Sequence, residues 1–245
     1  MRLTRAYLDT PLVPGARVAL PDAAVAHLLR VLRLREGDAC VLFNGDGRDY
    51  DCRIVAAGKR GGEAEVLAMR TVDNESPLRI VLLQGIARGE KMDWILQKAT
   101  ELGVAGFVPA GSERSEVKLD AARAEKRLAH WTSVVVAACE QSGRARVPGV
   151  AAVQPLAAAL PGLPASGPRL LLDPFATATI TSLDPPEAPV VIAVGPEGGW
   201  SARDRETLHA AGFAGIRLGP RVLRTETAGI AAIAALQSRF GDMGR

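Results

Sequence analysis

The chain has 245 residues, 48% of them hydrophobic and only 4% aromatic, with 30 basic against 27 acidic side chains for a formal net charge of +3. This is an ordinary soluble balance with material for a core of small aliphatic side chains, and no apolar run is long enough to span a bilayer. The mild positive charge fits a nucleic-acid partner without demanding one.

The opening "MRLTRAYLDTPLVPG" has no signal-peptide apolar stretch, so a cytoplasmic location is expected. "ARVALP" reads as a strand. "DAAVAHLLRVLRL" reads as a helix, with Val25, Leu28, Leu29 and Leu32 at helical spacing behind Asp22 as N-cap. His27, Arg30 and Arg33 recur at a spacing of three opposite those leucines, a face suited equally to solvent or to RNA. "ACVLFNGDGRDYDCRIVAA" predicts two strands around Asn-Gly and Asp-Gly turn signals, and "GGEAEVLAM" a third. Residues 1–72 therefore read as a small β-barrel, ended by the polar linker "TVDNESP". Cys40, Cys52 and Cys139 lack C-x-x-C pairing, and with three scattered histidines they predict buried, reduced thiols and no metal site.

Over residues 73–245 the pattern changes to strands alternating with helices, which means a parallel α/β sheet. The strand "LRIVLLQ" precedes the helix "KMDWILQKATELG", and the strand "VAGFVPA" precedes a long helix around "RLAHWTSVVVAACEQSG". The connection "PLAAALPGLPASGP" then leads to the strands "RLLLD" and "PVVIAVG". "SARDRETLHAAG" opens with a capping-box-like Ser201-x-x-Asp204, and "GIRLG" leads into an alanine-rich last helix.

Ligands of an open parallel sheet sit outside the carboxyl ends of its strands. Three loops leave such ends here: "LLLDPF", "VGPEGGWS" and "LGPRVLRTET". Their glycines let backbone groups approach a ligand closely. The usual nucleotide fingerprints are missing, because "GPEGGWS" has no P-loop lysine and no G-x-G-x-x-G follows an early strand.

Those loops, with "QKATELGV", "ERSEVK" and "EQSGRARVP" upstream, resemble the 16S ribosomal RNA uracil-N3 methyltransferase family of the SPOUT superfamily. The resemblance covers essentially the whole chain, since "HLLRVLRLREGD" is similar to that family's N-terminal PUA-like RNA-binding barrel. It implies a trefoil-knotted α/β methyltransferase domain, S-adenosyl-L-methionine as donor, 16S ribosomal RNA or the small ribosomal subunit as partner, and a homodimer. It further implies a donor pocket lined by Leu172, Gly195, Glu197, Gly198, Gly199, Leu218, Gly219 and Leu223, with Thr225 capping the last helix.

Methylating N3 of a uridine requires loss of its proton and stabilisation of charge spreading onto the carbonyl oxygens. Arg224 and then Arg114 are the candidates for the charge, because a guanidinium offers a fixed fork of donors that stays protonated. Glu197 or Glu226 is the candidate proton acceptor, set against a purely structural role near a helix start. Arg2, Arg5, Arg88, Lys91 and Arg144 join His27, Arg30 and Arg33 as candidate RNA contacts. Two rivals stay open: a related enzyme acting on ribose 2′-oxygen or another base nitrogen, and a non-catalytic RNA-binding assembly factor.

Overall fold

The structure, a computed structural model, describes residues 4–58, 61–115 and 121–244. The chain forms two compact units, Met1–Glu75 with Cys139–Val147 and Ser76–Ala138 with Pro148–Arg245. A single boundary near residue 72 misses the later segment that clusters with the first unit.

The first unit holds strands β1 (Arg5–Tyr7), β2 (Arg17–Ala19), β3 (Ala39–Phe43), β4 (Arg48–Gly58) and β5 (Gly61–Thr71) in the order β1-β3-β4-β5-β2. β1 runs parallel to β3 and the remaining neighbours are antiparallel. Alternate residues of β4 and β5, among them Tyr50, Cys52, Ile54, Ala64 and Val66, point into one core with Leu8, Leu28 and Leu42. The three cysteines are buried and free, and burial pushes their thiols up, to about 11 for Cys40 and about 12 for Cys52 and Cys139. They stay protonated and inert at neutral pH.

Two expectations are corrected in this unit. The first helix is α-helical only as α1 (Asp22–Ala24) and continues as a π-helix over Val25–Val31, where Leu32 N–H donates five residues back to His27 O at 3.1 Å. Arg33 then turns left-handed with φ 58°. A regular spacing of three therefore does not align His27, Arg30 and Arg33 on one face. Arg5 and Arg144, expected to contact RNA, are instead buried. Arg5 donates to Asp49 Oδ2 at 2.7 Å and to Arg144 O at 2.9 Å, and Arg144 pairs with Glu75. Asp49 is 1% exposed and also receives Arg70 at 2.6 Å, so two guanidiniums neutralise one interior carboxylate.

The second unit is built on seven parallel strands. They are β6 (Ile80–Gly85), β7 (Gly106–Gly111), β8 (Gly149–Val150), β9 (Gln154–Pro155), β10 (Arg169–Leu172), β11 (Val190–Val194) and β12 (Ala214–Ile216). The order is β12-β10-β11-β6-β7-β8, with β9 also pairing with β7. Its helices are α2 (Glu90–Glu101), α4 (Leu156–Ala159), α5 (Ala202–Ala210) and α6 (Thr225–Phe240), and α3 (Ala121–Ser142) belongs to it up to Ala138. β6 and β11 are buried along nearly their whole length, as strands covered on both faces must be. The two-residue strands β8 and β9 carry no pattern long enough to be read from sequence.

Two buried glutamine amides fix α6. At its start Gln84 Nε2 donates to Thr225 Oγ1 at 3.1 Å and to Gly85 O at 2.8 Å. Thr225 is not the N-cap: that residue is Arg224, and the threonine hydroxyl donates to Gly195 O instead. Near the C-terminal end of the helix, Gln237 Nε2 donates to Leu102 O at 3.1 Å and its Oε1 accepts from Ser76 Oγ at 2.6 Å.

The buried charge cluster of the first unit sets a test. Asp49→Ala leaves Arg5 inside without its carboxylate, so stability is expected to fall by about 3–5 kcal/mol. Urea unfolding should show a lower midpoint at an unchanged slope; an unchanged midpoint would mean the cluster contributes nothing.

Candidate active site

The carboxyl ends of β10, β11 and β12 enclose a cavity of about 510 Å³. Leu172, Gly195, Glu197, Gly198, Gly199, Leu218 and Leu223 line it, together with Arg224 and Glu226. Gly219 does not line it; with φ 70° it forms the turn that carries Leu218 into Leu223.

Steric limits shape the middle loop. A Cβ on Gly85 would stand 2.6 Å from Pro196 Cδ, and one on Gly195 would stand 3.0 Å from Gly199 Cα. Gly199, at φ 65°, donates its N–H to Pro196 O at 2.8 Å and closes the turn. Ser201 and Asp204 then start α5 with reciprocal bonds of 3.0 and 3.1 Å, the capping box that the sequence predicts. The first loop is tied to α5 by the Arg205–Asp173 ion pair.

One side of the cavity carries paired charge. Lys91 Nζ lies 3.0 Å from Glu197 Oε1 and 3.9 Å from Glu226 Oε2, and Arg88 N–H donates to Glu197 at 3.1 Å. Burial alone would push the Glu197 carboxyl up, but its own backbone N–H, Lys91 and the Arg88 N–H outweigh burial and hold it below the usual glutamate range. A carboxylate so held is a weak proton acceptor and a firm anchor. Lys91, expected on the RNA, instead spends its charge on these carboxylates, a pairing that a sequence separation of over a hundred residues hides.

Arg224 and Arg221 line the cavity, and neither has an ion-pair partner among the described residues. Arg114 lies beside it, with Nη1 donating to Gly198 O at 3.1 Å. Trp200, 3% exposed and packed in the hydrophobic core, also lines the cavity.

Among the remaining candidate RNA contacts, Arg2 lies outside the described residues, and Arg88 is exposed. In the first unit a separate hollow of about 500 Å³ brings Arg30 and Arg33 together with Arg35 over Leu29 and Leu34, and leaves out His27. Arg35 carried no periodic signal, because the left-handed turn at Arg33 is what brings it round.

The family model described as "RNA methyltransferase domain" matches residues 74–237, and that described as "RNA methyltransferase PUA domain" matches residues 20–67. The chain is 33% identical to ribosomal RNA small subunit methyltransferase E of Buchnera aphidicola (subsp. Schizaphis graminum), over 99% of this chain and 98% of that protein. Against its Bacillus subtilis counterpart, identity is 33% over 86% of each. Among solved structures, ribosomal RNA small subunit methyltransferase E from Neisseria gonorrhoeae, bound to S-adenosyl methionine, superimposes with a TM-score of 0.91 at 43% identity over 98% of this chain and 99% of that one. A Legionella pneumophila protein in complex with the bound cofactor SAM gives 0.95 at 35% identity over 99% of this chain and all of the other.

The Glu197 contacts generate a pH test. A lowered folded-state pKa means that the contacts contribute fully above the unfolded glutamate value of about 4.3, and are lost as pH falls through the lowered folded value. Glu197→Gln is expected to cost at most about 1 kcal/mol at neutral pH, since the pair is partly exposed. Below about pH 4.3 the variant should lose less stability than the parent, and parallel urea-stability curves across that range would refute the anchor.

Proposed function

This chain belongs to the RNA methyltransferase family, with a SPOUT-type domain behind a PUA-like one, and we propose that it methylates N3 of one uridine in 16S ribosomal RNA using S-adenosyl-L-methionine. The observation that carries this reading is the glycine-walled cavity at the three strand ends. Gly195 has no room for a Cβ against Gly199, so the loop closes tightly. Gly199, where a Cβ would meet nothing within 4 Å, leaves backbone open to a ligand, as close binding of an adenine edge requires. Leu172, Leu218 and Leu223 supply apolar flanks for its ring, and the charged side with Lys91, Glu197 and Glu226 suits a zwitterionic tail. When bound, S-adenosylmethionine supplies an electrophilic methyl group.

The chain's own residues supply orientation and charge. Arg224, on the cavity wall and without a carboxylate partner among the described residues, stabilises negative charge on the uracil oxygens, and Arg114 beside Gly198 assists. Glu197 keeps Lys91 and the Arg88 backbone in place rather than removing the proton. RNA phosphates are met by Arg30 and Arg33 with Arg35, and by Arg88. The working form is a cytoplasmic homodimer. Supporting this, Ile230, Ala231, Ala234 and Ala235 of α6 stay only half-buried within one chain, and Trp94 on the adjoining α2 is 59% exposed.

Two outcomes are expected. A Cβ at Gly198 would stand 3.2 Å from Arg114 Cβ and 3.4 Å from its carbonyl oxygen, so Gly198→Val must displace that loop. Calorimetry should show donor affinity reduced about tenfold or more with little change in melting temperature. Unchanged affinity in a folded variant would remove this loop from the site. Nucleoside analysis of ribosomal RNA from a deletion strain should lack one N3-methyluridine, restored by the parental protein. Loss of a ribose-methylated nucleoside instead would overturn the N3 assignment.

A further inference from the structure

A second concavity of about 460 Å³ opens at the same edge of the parallel sheet, where β6, β7 and β9 end. It is lined by Ser112 and Glu113 just beyond β7, by Gln154 of β9, by Thr207 of α5, and by the apolar Ile86 and Leu156. One peptide joins it to the first cavity. Glu113 lines the second, while its neighbour Arg114 donates to the carbonyl of Gly198, which lines the first. The two hollows are therefore neighbours along one edge of the sheet, separated by the Glu113–Arg114 peptide.

Of the polar side chains here, Thr207 donates to Arg203 O, and Gln154 has no side-chain hydrogen bond among the described residues. Ser112 Oγ is buried and has no hydrogen-bond partner among the described residues. The Asp204 carboxylate is spent, accepting from Ser201 N–H at 3.1 Å and Glu113 N–H at 3.3 Å. Among the described residues the Glu113 carboxylate meets Arg203, at 3.5 Å, and that arginine is 82% exposed. Such a surface contact is weak and easily exchanged for a ligand.

The edge of uracil offers one N–H donor, at N3, between two carbonyl acceptors. A carboxylate only accepts, whereas an amide and a hydroxyl donate. We propose that this second cavity holds the uracil of the methyl acceptor. Glu113 accepts from N3–H in the bound complex and takes that proton. The N–H electron pair left on N3 forms the bond to the methyl carbon as the donor's methyl–sulfur bond breaks, leaving Glu113 protonated. Gln154 donates to one flanking oxygen, the other is left to the arginine assigned above, and Ile86 and Leu156 cover the ring. The inference rests on the N3-uridine reading above. Cytosine presents a lone pair at N3, which would face the Glu113 carboxylate with like polarity and be rejected.

Binding by the donor-free protein tests this without any turnover. The probes are an RNA hairpin carrying the uridine that the parental protein methylates and the same hairpin with cytidine in its place. The parental protein is expected to prefer the uridine hairpin by about tenfold or more. Glu113→Gln, whose amide can donate to N3 of cytosine, should erase or reverse that preference. Gln154→Ala should weaken the uridine hairpin several-fold. Both variants should keep parental donor affinity and melting temperature. A parental uridine-to-cytidine ratio in Glu113→Gln, together with parental affinity in Gln154→Ala, overturns the pocket. A parental product methylated on ribose or on another base overturns the N3 reading and the pocket with it. The product of the parental protein and the binding of its variants are separate readouts, so the two failures are told apart.

Discussion

The arrangement of the second unit depends on one buried side chain. Gln84 is 1% exposed at the end of a central strand, and its amide reaches Gly85 O, Thr225 Oγ1 and, at 3.4 Å, Val194 O. Thr225 passes the connection on to Gly195 O. The end of β6, the end of β11 and the start of α6 find hydrogen-bond partners in one another through Gln84 Nε2, while Gln84 Oε1 has none among the described residues. The carbonyls at the strand ends are thus satisfied internally, and the loops that follow are fixed relative to α6 before any ligand arrives. Gly85 makes this possible by omission, because no side chain there would clear Pro196.

The same economy governs charge. Glu197 and Lys91 neutralise each other on one side of the first cavity, while Arg224 and Arg221 remain without ion-pair partners among the described residues. Fixed ion pairs hold a loop in place; a guanidinium with no internal partner is ready for negative charge brought in from outside. The first unit makes the opposite use of arginine. Arg5 and Arg144 are buried and consumed by Asp49 and Glu75, while Arg30, Arg33 and Arg35 gather at a hollow beside a π-helix.

Much of this was legible in the sequence. Alternation in β4 and β5, continuous apolar runs in β6 and β11, and the Ser201–Asp204 pair are local patterns with local physical causes, and the elements follow them. The three strand-end loops were recognisable by their glycines and prolines, and their motifs pointed to the family that the comparisons show. The departure at Val25–Val31 runs against the leucine period, which suits an α-helix, and leaves Leu32 43% exposed.

What the sequence determined, then, is everything set by neighbours along the chain: the kinds of element, the strand ends where a site must lie, and the residue types gathered there. Only the tertiary structure decided which polar and charged groups meet. Arg5 finds Asp49 44 positions away, Gln84 finds Thr225 141 positions away, and Arg114 finds Gly198 84 positions away. Whether an arginine is buried in an ion pair or offered to a ligand depends on such partners. They are brought together by packing of the sheet, whose register no local period encodes.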